Sequence, residues 1–287
     1  MKTHNKGQLL LVGAVALGMF AVMAASPASA DPRASDGHSA DRGYNAIPDK
    51  VPGNVPSVGF EATATRDFGD EIELGGRART LDSMSVVMSS WGCEDGGWTT
   101  KDCLTSRGAT FDVPLTFTIY ADNAGTRGDV LATRTKAVAV QYRPSASPKC
   151  TDANDLPTGQ WYSNKDHTCY NGFAQTIEMN LPDVTLPDQV IWTVKYNTTH
   201  YGEVPVGESA ACFTASGGCG YDALNVGVES FPNAPFAGTD LDENQVFRNG
   251  VIETGPANDP WTGFRPLGAI TTRSHGDQHG HGDHHGR

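Results

Sequence analysis

The sequence predicts an all-β domain: a two-sheet β-sandwich, jelly-roll-like, reinforced by local disulfides. Three observations carry this reading. Apolar residues recur with period 2 in several stretches, which is the spacing of a strand with one buried face. Clusters of Gly, Asn and Asp separate those stretches. Six cysteines follow an export-type leader, so an even set of thiols meets an oxidising compartment.

Residues 1–30 read as a bacterial secretion signal. Lys2 and Lys6 supply the positive start, Leu9 to Ala25 the apolar run, and Ala28-Ser29-Ala30 a small-residue cleavage site. Residues 31–56 read as a flexible leader, rich in Asp, Ser, Ala and Gly and then marked by Pro48, Pro52 and Pro56. Residues 57–272 read as the sandwich domain. Within it, Val86 and Met88 alternate with serines, and Leu115, Phe117 and Ile119 alternate with Thr116, Thr118 and Tyr120. Phe173, Gln175, Ile177 and Met179 form a third run, and Val190, Trp192, Val194 and Tyr196 a fourth. Turn signals fall at Gly69-Asp70, Asp122-Asn123-Ala124-Gly125, Asn171-Gly172 and Gly217-Gly218. About nine or ten strands and no amphipathic helix longer than two turns follow from this pattern. A closed barrel satisfies the same periodicity. Residues 273–287 contain no apolar side chain and read as a disordered, His-rich tail.

The cysteines are Cys93, Cys103, Cys150, Cys169, Cys212 and Cys219. Six thiols allow 15 pairings. Sequence proximity and the polar, Gly-rich intervening loops favour Cys93–Cys103, Cys150–Cys169 and Cys212–Cys219. No C-x-x-C pair is present, which argues against zinc at these thiols.

Charge and hydropathy exclude several functions. The full chain carries a net charge of −12, and loss of Lys2 and Lys6 with the signal makes the mature chain more acidic still. Without a basic cluster it has no means of displacing counterions from nucleic acid or of binding an anionic membrane surface. Beyond the signal no apolar run is long enough to span a membrane, so no insertion is expected after cleavage.

Several strings resemble a group of uncharacterised secreted proteins found in high-GC Gram-positive bacteria and some fungi. They include Gly59-Phe60-Glu61-Ala62-Thr63, Ser90-Trp91-Gly92-Cys93, Tyr142-Arg143-Pro144-Ser145, Tyr196-Asn197-Thr198-Thr199-His200-Tyr201-Gly202 and Trp261-Thr262-Gly263-Phe264-Arg265-Pro266. The resemblance covers residues 57–270. It implies one secreted β-sandwich domain and brings no established activity and no catalytic residues.

Two sets of residues stand out as candidate sites. His275, His279, His281, His284 and His285, with Asp277 and Asp283 among them, offer imidazole ligands suited to Zn, Ni or Cu. Trp161 and Tyr162 lie in a polar segment between Cys150 and Cys169, a setting in which exposed rings stack on carbohydrate. Trp91 and Trp98 flank or enter the first cysteine loop, with Trp91 expected in the core. The two remaining histidines of the domain, His167 and His200, are read as separate turn or strand residues. Asp240-Leu241-Asp242-Glu243-Asn244 has alternating oxygen donors but lacks the glycine and glutamate of an EF-hand loop, so it reads as an acidic turn. Neither G-x-S-x-G nor H-E-x-x-H occurs. The resulting functional expectation is a secreted, non-enzymatic protein that binds carbohydrate or a cell-envelope component. A polysaccharide hydrolase and metal capture by the tail are the alternatives.

Overall fold

The structure, a computed structural model, describes residues 41–230, 235–254 and 264–274. The signal region, residues 31–40 and the five tail histidines lie outside the described residues. In chain order the strands are β1 (Asp41–Asn45), β2 (Ser57–Gly59), β3 (Asp67–Glu73), β4 (Thr80–Ser90), β5 (Thr110–Asp122), β6 (Arg127–Gln141), β7 (Trp161–Ser163) and β8 (Thr168–Tyr170). They continue as β9 (Phe173–Asn180), β10 (Gln189–Lys195), β11 (Leu224–Ser230), β12 (Thr239–Asp240), β13 (Gln245–Arg248), β14 (Val251–Thr254), β15 (Phe264–Pro266) and β16 (Gly268–Arg273). One 3-10 turn, Gly220–Ala223, is the helical content of the described residues.

Two seven-stranded antiparallel sheets hold fourteen of these strands, and β7 and β8 pair with each other as a separate hairpin. One runs β1-β16-β4-β11-β15, with β2 on β11 and β9 on β4. The other runs β14-β13-β3-β10-β5-β6, with β12 on β3. Two separate sheets with a shared core make a sandwich and answer the barrel alternative. Met84, Val86 and Val226 face Ile72, Phe117 and Trp192 in that core. Each such side chain contributes roughly 1.5–3 kcal/mol by leaving water.

The strand runs read from periodicity fall on β4, β5, β9 and β10. The strand number is larger than expected because β2, β7, β8, β12 and β15 span only two or three residues, too few for a period to register. One turn signal is also corrected. Gly69-Asp70 lies inside β3, where Gly69 pairs with Thr193. A Cβ at Gly69 would stand 1.7 Å from the Trp192 carbonyl oxygen, so the glycine serves close strand contact.

The flexible-leader expectation is corrected from residue 41 onward. Asp41–Asn45 pairs with β16, and Tyr44 is fully buried. The stretch after it lies against the first sheet: the Gly53 carbonyl accepts from Ala174 N and the Pro56 carbonyl from Val228 N. Val55 packs with Val87 and Leu267 there. Val87 points away from the main core, so its strand needs an apolar cover on that side. The sparse residues Ile47, Val51 and Val55 provide it.

All three expected disulfides form, with Cα–Cα separations of 5.4, 5.8 and 4.8 Å for Cys93–Cys103, Cys150–Cys169 and Cys212–Cys219. No described helix is long and apolar enough to cross a membrane.

Candidate ligand-binding groove

Two of the disulfide loops meet at the end of the first sheet. β4 delivers Trp91 and the Cys93–Cys103 loop, and Cys212–Cys219 precedes the turn into β11. Leu224 pairs with Ser90, and Trp91 N donates to the Ala223 carbonyl at 2.8 Å, so both loops start from one pair of hydrogen-bonded strands. Asp95 and Leu104 exchange backbone hydrogen bonds across the first loop. Gly96 N reaches Ser216 Oγ at 3.2 Å and ties it to the second.

Glycine makes the close approach possible. A Cβ at Gly217 would lie 2.5 Å from the Cys93 carbonyl oxygen, and one at Gly220 would lie 2.5 Å from the Phe111 ring. Between the loops is a groove of about 390 Å³, within the size range of small-ligand sites. Its apolar wall is Trp91, Trp98 and Phe213. Trp98 is 43% exposed and Phe213 38%, so both rings stand in water on cross-linked loops. Trp98 meets Trp91 edge to face, with ring centroids 4.8 Å apart. Trp91 is held from behind by its indole N–H, which donates to Ser89 Oγ at 3.1 Å. It is half-buried, whereas the sequence placed it in the core. Thr99, Thr100, Ser216 and Asp222 supply polar atoms to the same groove.

The expected aromatic platform is elsewhere and is corrected. Trp161 is buried, donates its indole N–H to the Gly172 carbonyl at 2.6 Å, and packs against Tyr170 and Phe173. The reason is strand alternation. β7 turns Trp161 and Ser163 inward, so only Tyr162 faces out. Tyr162 lies beneath the Lys149 ammonium, 4.6 Å from the ring centroid, and its hydroxyl is 3.4 Å from His167 Nδ1. Trp161 is therefore a packing residue and Tyr162 stands alone. Nothing in local composition distinguishes this loop from the Trp98 loop. The sequence signals for the groove were Trp91 and Trp98 at the first cysteine loop and the density of glycines at positions 92, 96, 97, 217, 218 and 220 inside and beside two cysteine loops.

His200 borders the groove through Phe213, with ring centroids 6.3 Å apart. Its Nδ1 is hydrogen-bonded to Glu61 and its Nε2 lies 3.2 Å from Glu208. The hydrogen bond to Glu61, seconded by that to Glu208, holds the His200 pKa above the usual histidine value. The two nitrogens point to opposite sides of the ring, so this trio cannot converge on one ion. His167 and His200 share no contact partner.

A second polar group lies in the sandwich interior. Asp70, Asp240 and Tyr44 are buried, and the Arg265 guanidinium stands 3.5 Å from the Asp240 carboxylate. Burial raises both carboxyl pKa values, that of Asp240 to about 6, and the Asp240 charge adds to the rise at Asp70. The acidic turn expected over Asp240–Asn244 is confined to residues 241–244, where Asp242 accepts from Asn244 N at 3.0 Å and from the Gln245 amide at 2.6 Å; Asp240 itself belongs to β12 and is buried. Among the described residues no three His, Cys, Asp or Glu side chains form a metal-holding group.

No family model matches the chain, and neither a curated protein nor a solved structure matches it.

Proposed function

We propose that this protein is an exported, non-enzymatic binding module whose groove between the Cys93–Cys103 and Cys212–Cys219 loops takes a carbohydrate of the cell envelope or its surroundings. One observation supports this reading above the others. Trp98 and Phe213 are exposed on disulfide-pinned loops around a groove with polar donors and acceptors on its floor. Sugar rings present an apolar face and a polar rim, which suits a flat aromatic beside threonine, serine and backbone groups. The pinned loops also reduce the ordering cost of binding, because the rings are held before the ligand arrives. Export is supported by the leader at residues 1–30 and by three disulfides, which persist in oxidising surroundings.

The test is glycan-array screening of the mature chain, followed by titration calorimetry on each hit. Trp98→Ala and Phe213→Ala should each abolish or severely weaken binding with the fold retained. Unchanged affinity in both variants places the ligand elsewhere and overturns the reading. Release of new reducing ends from a bound polysaccharide assigns a hydrolase instead.

A further inference from the structure

The groove is electrically one-sided. Among the described residues, Asp222 is the one charged residue of its lining, and no Lys or Arg lines it. Three more carboxylates stand on the first loop. Glu94 and Asp95 lie between the lining residues Cys93 and Gly96, and Asp102 accepts from Gly97 N at 2.9 Å and from the Thr100 hydroxyl at 2.5 Å. All four are held by neutral donors. Asp222 accepts from Thr199 N at 2.7 Å and Thr199 Oγ1 at 2.6 Å, Glu94 from Ser106 N at 2.6 Å, and Asp95 from Gly96 N at 3.0 Å. Neutral donors fix the carboxylates in place without cancelling their charge. The Thr100 bond, with that from Gly97, also holds Asp102 below the usual carboxylate pKa.

Cations stand near the first loop, but none lines the groove among the described residues: Arg143, whose N donates to the Gly92 carbonyl at 3.0 Å, is buried with its guanidinium on the Gly159 and Pro144 carbonyls, and Arg107 follows Ser106. Lys101 follows Thr100, but its stem packs on Gly159 and its ammonium acts on Asp152. His200, behind Phe213, faces two carboxylates, Glu61 and Glu208, so that cluster adds no net positive charge. Aromatic faces reinforce the sign of the field, because the ring quadrupole attracts cations. Among the described residues, a negatively charged ligand would meet Asp222 and no counter-charge on the groove wall, with Glu94, Asp95 and Asp102 on the adjoining loop.

We infer that the groove selects a cationic amino-sugar, a pyranose bearing a free ammonium group, over neutral and anionic sugars. This rests on the carbohydrate reading above and narrows it by charge complementarity. The ring stacks on Trp98 or Phe213, and the ammonium lies in the field of Asp222, Glu94, Asp95 and Asp102. Part of this attraction is screened by salt, since the first-loop carboxylates are exposed.

The probes are three oligosaccharides of equal length: a chitosan oligomer, its fully N-acetylated counterpart and an oligogalacturonate. Calorimetry at low ionic strength should rank them in that order, with the chitosan oligomer roughly tenfold tighter than the neutral one and the gap closing as salt rises. Glu94→Gln with Asp95→Asn removes two charges and keeps the hydrogen-bond acceptors. It should weaken chitosan binding several-fold and leave the neutral oligomer unaffected. Equal affinity for the cationic and neutral oligomers, lost in Trp98→Ala, overturns the charge inference and leaves the carbohydrate reading standing. Preference for oligogalacturonate overturns the charge inference as well. No binding of any probe, with no hit on the array, overturns both.

Discussion

Gly217 lies against the carbonyl of Cys93, so near that a Cβ on it would stand 2.5 Å from that oxygen. This contact joins two loops that are more than a hundred residues apart in sequence, and it sets the width of the groove. Gly217→Ala should force them apart. The expected cost is about 1–3 kcal/mol of stability, as for overpacking, together with weaker ligand binding. Thermal denaturation and calorimetry on the same preparation check both. An unchanged Tm with unchanged affinity shows that the loops yield freely.

Opening the second loop covalently should act on the same groove. Replacing Cys212 and Cys219 by serine removes a short cross-link worth about 2–3 kcal/mol in the chain-entropy model. It also releases Phe213, which sits one residue from Cys212. Denaturant titration should report the stability loss. Ligand affinity should fall further than in a matched Cys150, Cys169 double serine variant, whose bridge lies outside the groove.

Trp98 and Trp161 should give opposite phenotypes. Trp161 is buried against Tyr170 and Phe173, so Trp161→Ala should cost about 3–5 kcal/mol and lower Tm sharply. Trp98 is half in water, and Trp98→Ala should cost about 1 kcal/mol, mostly its edge contact with Trp91, while removing ligand binding. A Trp161 variant of native stability contradicts the packing role.

The buried carboxyls should make the protein favour mildly acid conditions. Asp240 binds its proton up to about pH 6 in the folded state, above the unfolded value of about 3.9. A raised pKa means the folded state holds more protons in that interval, so stability falls as pH climbs from about 4 through about 6. Asp70 shifts the same way, and the raised pKa of His200 adds a loss as pH rises through the histidine range. Tm measured from pH 4.5 to 8 should decline as the folding free energy falls, by on the order of 1–3 kcal/mol for Asp240. Asp240→Asn should flatten the slope. A Tm that rises across this window contradicts the assignment.

Metal affinity should reside in the tail sequence. A chain ending at Ser274 lacks His275, His279, His281, His284 and His285 and should lose Zn, Ni or Cu binding. In the full chain that binding should fall as pH drops through about 6.5, where free imidazole is protonated. Ser274 is the right boundary, because Arg273 pairs with Asp183 and approaches Asp82, and Thr272 is buried with its hydroxyl donating to the Asp41 carbonyl. Tm should be unchanged by this truncation. Calorimetry on both chains decides; equal binding places the metal on residues before His275.

The all-β class, the long strands and the three disulfides were legible in sequence, because each depends on neighbours along the chain. Val190, Trp192 and Val194 alternate whatever lies above them, and Cys212 is seven residues from Cys219. What the chain order could not reveal was any relation between distant segments. Trp161 and Trp98 sit in equally polar cysteine loops, yet only the facing strand Thr168–Tyr170 turns the first ring inward. The leader residue Val55 became core only because Val87 presented an uncovered apolar face. Asp70 and Asp240 are far apart in the chain, and only the antiparallel pairing of their strands, Asp240 opposite Ile72, shuts both into the low-dielectric interior. Periodicity and loop closure are local quantities and can be read from sequence. Burial, electrostatic coupling and the walls of a groove are set by which strands become neighbours, and only the tertiary structure decides that.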